Sequence, residues 1–228
     1  MNMNILNSIL NFFYPPQCDV CGRLLTEGEQ VICMACFLDL PRTNFHLDEA
    51  NAMARLFWGR VFITHAAGYF YYNKGSLYQK LIHKLKYNGR ADIGRMLGRY
   101  YADELSRSVF AEAGVVMPVP LHPRKERLRG YNQSEIIASG ICERLSLPLV
   151  TGNLVRNTFT DTQTKRSRFD RYKNMEGMFG LTDEGSVKGL HVLLVDDVVT
   201  TGSTLEACAQ VLLDAGSGAV SVLTLAVA

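Results

Sequence analysis

Apolar positions along this chain follow two spacings. Strand-like stretches rich in β-branched and aromatic residues occur at Thr64–Tyr72, Val115–Pro120, 149–156, 191–197 and Ala219–Val227. Between them, apolar residues recur at helical spacing. Gly75–Tyr87 places Leu77, Leu81, Ile82 and Leu85 on one face, with Lys80, Lys84 and Lys86 off it. Ala91–Phe110, Gly130–Leu145 and 202–214 read the same way, with Ile136, Ile137, Ile141 and Leu145 as core candidates of the second. Ile5, Leu6, Ile9, Leu10 and Phe13 predict a short N-terminal helix packed on its own protein. Strands alternating with helices predict an α/β fold, a mostly parallel sheet flanked by helices on both faces. Residues 41–63 read as a loose connection, and 157–176 lack amphipathic spacing.

The most chemically specific stretch is Val192–Thr204. An apolar strand ends in Asp196 and Asp197, then Val198 and Val199, then Thr200, Thr201, Gly202, Ser203 and Thr204, and a helix follows. Ligands of open α/β sheets bind at such strand tips. Backbone N–H groups at a helix N-terminus favour an anion. Gly202 permits close backbone approach, and the hydroxyls add donors. Two acids beside an anion cradle make sense as acceptors for vicinal sugar hydroxyls. The ligand suggested is a ribose 5-phosphate group.

Composition and charge sharpen this picture. The 228 residues are 47% apolar and 20% charged, enough for one α/β domain and a small appendage. Net charge is +2, but 122–129 and 156–173 carry ten bases and three acids, +7, which leaves −5 elsewhere. Concentrating charge in two segments suits a polyanion ligand. Met1–Tyr14 has neither a basic n-region nor a small-residue cleavage site, and no stretch reaches the ~20 apolar residues of a transmembrane helix. A cytoplasmic protein is expected.

Cys18-x2-Cys21 and Cys33-x2-Cys36 stand eleven residues apart. That spacing brings four thiolates to one point and suits a closed, structural tetrahedral zinc site. Gly22 fits the tight turn of such a knuckle. A redox role is disfavoured because no thioredoxin-like βαβ context surrounds the pairs. Cys142 and Cys208 sit among apolar neighbours and read as small core residues.

Val192–Thr204 resembles the 5-phosphoribosyl diphosphate (PRPP) signature of type I phosphoribosyltransferases. The resemblance implies Asp196 and Asp197 as the catalytic pair, holding the ribose hydroxyls and stabilising positive charge at C1. It implies Val198, Val199, Thr200, Thr201, Gly202, Ser203 and Thr204 as the substrate-binding loop. The cysteine pairs, Leu85–Arg90, Val119–Gln133 and Thr162–Arg168 together are similar to the ComF (ComFC/GntX-like) family over nearly the whole chain, most weakly in 42–63 and 175–190. By that resemblance, 1–41 holds an N-terminal helix and a zinc-ribbon-like module, 42–63 is a linker, and 64–228 is the phosphoribosyltransferase-like domain. Arg124 and Lys125 are then the diphosphate contacts. Lys165, Arg166 and Arg168 belong to a loop that closes over the site, and magnesium accompanies PRPP. The family link is to DNA uptake in natural transformation. Candidate partners are single-stranded DNA, along a basic track of Lys84, Lys86 and Arg90, and a DNA-uptake helicase or other competence proteins. Transfer of phosphoribosyl to an unidentified acceptor competes with a non-catalytic binding role on the same scaffold.

Overall fold

The computed structural model describes residues 15–157 and 177–228. The predicted N-terminal helix and the basic residues Lys165, Arg166 and Arg168 lie outside them. Four parallel strands form the main sheet: β1 (Ala66–Tyr71), β2 (Val115–Pro118), β5 (His191–Val199) and β6 (Ala219–Val227), in the spatial order β1-β6-β5-β2. The central pair is apolar over long runs, and Val192 to Val195 are fully buried. Parallel sheets covered on both faces demand that composition.

Helices follow their strands. After β1 come α3 (Gln79–Tyr87) and α4 (Ala91–Leu105), after β2 come α5 (Pro123–Arg129) and α6 (Gln133–Leu145), and α7 (Ser203–Asp214) joins β5 to β6. The chain moves from β1 toward β2 through α4, but from β5 back to β6 through α7. Right-handed crossovers therefore put α4 on one face and α7 on the other. α4 and α6 pack closely. A Cβ at Gly98 would lie 2.4 Å from the Ile137 carbonyl oxygen, and one at Gly140 2.2 Å from that of Arg95.

Boundaries shift where capping competes with periodicity. The helix expected from Gly130 starts at Gln133, because the Asn132 side chain accepts the Ser134 N–H. The helix expected to reach Phe110 ends at Leu105, followed by a 3-10 turn at Val109–Glu112. The stretch 149–156 divides: Leu149 makes a single parallel bridge to Val116, while β3 (Leu154–Arg156) pairs antiparallel with β4 (Phe179–Leu181). The basic run after β2 is helical, with Pro123 in the first turn, His122 as N-cap and left-handed Gly130 as C-cap.

Two short helices precede β1: α1 (Met34–Leu38) and α2 (Ala52–Arg55). The second lies in 42–63, read from sequence as a linker. That segment is packed: Met53, Ala54 and Phe57 are buried. Buried Asn51 caps α2 by accepting from Met53 and Ala54, and it donates to the Ala66 carbonyl of β1 at 2.7 Å. Arg42 bridges Phe70 antiparallel along the outer edge of β1. Among the described residues, no helix is long and apolar enough to cross a membrane.

Candidate functional site

β5 continues through both acids to Val199, with Asp196, Val198 and Val199 in register with Thr224, Ala226 and Val227 of β6. Ladder hydrogen bonds thus fix the backbone that carries the acids. Asp196 Oδ1 accepts from the Ser134 hydroxyl at 2.8 Å and from the Asp197 N–H at 2.8 Å. Asp197 Oδ2 lies 3.0 Å from Lys86 Nζ. Burial, and next the neighbouring Asp197 charge, push the Asp196 carboxyl up to about 7, against the two hydrogen bonds and Lys86. One acid is therefore poised near neutrality, the other ion-paired.

The hydroxyl-rich loop encloses a cavity of about 50 Å³ lined by Asp196 and residues 198–205. A hollow of that size accommodates a compact tetrahedral anion. Gly202 caps α7 at φ 75°, a left-handed conformation costly for side-chain-bearing residues. Its absent Cβ also makes room for Phe57: an added one would stand 3.0 Å from the ring. Arg60 Nη1 donates to the Thr201 carbonyl at 2.9 Å, Nη2 reaches Ser203 Oγ at 3.3 Å, and the guanidinium pairs with Glu206. Phe57 and Arg60 buttress the loop from the segment before β1. Composition there carried no sign of it, because the contact is long-range.

Arg124 and Lys125 lie on exposed α5, at the tip of β2. None of the ion pairs among the described residues includes Arg124, Lys125 or Arg127. The turn after α5 is tied down. Buried Asn132 donates to the Val119 carbonyl at 3.0 Å, and Tyr131 donates its hydroxyl to the Leu85 carbonyl at 2.6 Å. These ties aim Ser134 at Asp196. Ser134 was not singled out in the sequence; the Asn cap preceding it was the available signal.

The four cysteines converge, their sulfurs all within 4.8 Å of one another. Cys21 and Cys33 sulfurs are 3.8 Å apart. A tetrahedral ion about 2.3 Å from each sulfur gives an edge of about 3.8 Å, while a disulfide needs about 2.05 Å. The set fits a metal ion and not a disulfide pair. Although burial opposes it, backbone N–H groups of Cys21, Cys33 and Val20 hold the Cys18 thiol down to about 6, whereas burial and the neighbouring sulfurs push the Cys36 thiol up. The module is bound to the body. Buried Asp19 pairs with Lys84 and Arg90, both at 2.7 Å, and Lys86 pairs with Asp197. The three bases expected to form a free nucleic-acid track are thus each engaged by a carboxylate.

Residues 132–227 match a family model described as "Phosphoribosyl transferase domain". The DNA utilization protein YhgH of Escherichia coli (strain K12) is 33% identical over 211 residues, 90% of this chain and 87% of that protein. Competence protein ComFC of Bacillus subtilis (strain 168) is 28% identical over 148 residues, 65% of this chain and 58% of that protein. Among solved structures, the glutamine PRPP amidotransferase from B. subtilis aligns at 25% identity and a TM-score of 0.46, covering 63% of this chain and 30% of its own.

Proposed function

Because the chain belongs to the ComF family, we propose that it is a PRPP-binding, phosphoribosyltransferase-like protein of DNA uptake, acting in the cytoplasm. The observation that supports this most is the pairing of Asp196 and Asp197 with a hydroxyl-lined anion cavity on the same loop. In this reading the cavity takes the 5-phosphate, with the α7 N-terminus supplying N–H donors. The acids take the ribose hydroxyls. Arg124 and Lys125 face the diphosphate, joined by Lys165, Arg166 and Arg168 from the segment between β3 and β4. The four cysteines hold zinc as a closed structural site.

In the transferase reaction, an acceptor nitrogen attacks C1 while the C1–oxygen bond to diphosphate breaks. The electron pair leaves with diphosphate, and the acceptor proton passes to solvent. Asp196 and Asp197 stabilise the positive charge that develops on the sugar. Magnesium bound with PRPP supplies charge neutralisation to the leaving diphosphate. Calorimetric titration of PRPP with magnesium tests the site, using wild type and the Asp196→Asn/Asp197→Asn double variant. Binding lost in the variant is the expected result; undiminished affinity overturns the assignment.

A second reading is a non-catalytic protein that binds single-stranded DNA, or a helicase or other competence partner, on the same scaffold. The exposed bases of α5 favour it, since a phosphate-tracking surface needs such unpaired charge. Diphosphate release with candidate acceptors, single-stranded DNA included, separates the two readings.

A further inference from the structure

Helix α3 touches the four-cysteine module on one flank and the acid pair on another. Its core face, Leu81, Ile82 and Leu85, is buried and fixes its rotation. Toward the module, Lys84 and Arg90 grip Asp19, Lys80 Nζ donates to the Val20 carbonyl at 3.1 Å, and the Tyr78 hydroxyl donates to that of Cys36 at 2.9 Å. Near its C-terminal end, the Leu85 carbonyl is held by Tyr131, two residues before the start of α6. From the remaining flank Lys86 reaches Asp197.

We propose that Lys86 is a positioning residue of the sugar site, pairing with the Asp197 carboxylate and orienting it, and that docking of the four-cysteine module on α3 sets its reach. The Lys86 and Asp197 side chains are only 23% and 13% exposed, so the contact is partly desolvated and less screened than a surface pair. Among the described residues, besides each other, the acids meet Lys86 from α3, the Ser134 hydroxyl from α6 and the buried Cys208 thiol from α7, with Arg156 of β3 acting on that thiol from further off. Without Lys86, two adjacent carboxylates remain without that cation, and the pair must retain a proton to higher pH. A protonated member accepts fewer hydroxyl hydrogen bonds. Lys84 and Lys86, two residues apart, point to different flanks of α3. Movement of the module therefore tilts the helix and the Lys86 ammonium with it.

The inference rests on the acids binding a sugar, so its test separates the two. Carboxyl carbon NMR titration of the ligand-free chain, labelled at aspartate, reads the acid pair without PRPP. Lys86→Met should raise the upper titration midpoint of the pair by about one pH unit; Lys86→Arg should leave it in place. Tyr78→Phe, which removes the hydrogen bond to the Cys36 carbonyl without changing charge, should move it in the same direction by less. An unmoved midpoint in Lys86→Met overturns the role of Lys86, and one in Tyr78→Phe overturns the role of the module. Calorimetry with magnesium and PRPP should show affinity lower by about fivefold in Lys86→Met at pH 7, recovering toward wild type at higher pH. A wild-type chain that binds no PRPP at any pH overturns the sugar reading, and with it the positioning role.

Discussion

Arg60 Nη1 donates to the Thr201 carbonyl at 2.9 Å, joining a segment before the first strand to the loop after the fifth across 141 residues of sequence. The same guanidinium reaches Ser203 and Glu206, so one side chain closes the loop onto the first turn of α7. Arg60→Ala should weaken PRPP affinity by about tenfold, the scale of one lost hydrogen bond to a charged donor. Calorimetry reads the loss, and faster amide exchange at 200–204 assigns it to loop order.

Gly202 combines a left-handed backbone with contact against Phe57. Gly202→Ala should destabilise the chain by about 1–2 kcal/mol from backbone conformation alone, with crowding added. Thermal unfolding should shift down by about 2–4 °C per kcal/mol in a chain of this size. Adding Phe57→Leu should recover only the crowding share, because the φ angle remains.

The raised Asp196 carboxyl gives a pH dependence of defined sign. A group whose folded pKa lies above its unfolded value favours folding while protonated. That contribution is full below the unfolded value, about 3.9, and is lost as pH rises through about 7. Asp196→Asn should therefore raise thermal stability at pH 8 relative to wild type and lose that advantage near pH 4. PRPP affinity moves oppositely in wild type, increasing from pH 6 to 8 as the acceptor ionises. Thermal melts and calorimetry at matched pH check both.

Replacing Cys33 and Cys36 by Ser should remove two ligands of the thiol cluster. Elemental analysis should show the metal lost, and thermal melts should show destabilisation of the N-terminal module, whose small core leaves metal binding to supply much of its folding energy. Full metal content would overturn the four-thiolate site.

The sheet and its helices were legible because buried parallel strands and amphipathic helices write their period into local sequence. Val192–Val195 and the Leu81, Ile82, Leu85 face are the clearest cases. The acids and the hydroxyl loop were legible because they are contiguous. Phe57, Arg60, Ser134 and the pairing of Lys86 were not, because each acts on a residue distant in sequence: 62 positions separate Ser134 from Asp196. Local cues also misread 42–63, where no long apolar run marks a segment that packs through single buried residues such as Asn51 and Met53.

The short pairings at the two sides of the sheet have a bearing on assembly. Tyr71 N–H donates to the Pro41 carbonyl and Thr43 N–H to that of Tyr69, which occupies the free side of β1. Opposite, Val116 N–H donates to the Pro148 carbonyl and Val150 N–H to that of Val116, which occupies β2. Both covering pieces contain a proline that lacks an N–H. Bare strand edges invite pairing with another chain, and here both are blunted. Recruitment of other macromolecules by strand addition is closed off at β1 and β2, which leaves helix surfaces, loops and the separate β3–β4 pair for association. The same blunting guards a long, apolar parallel sheet against edge-to-edge aggregation.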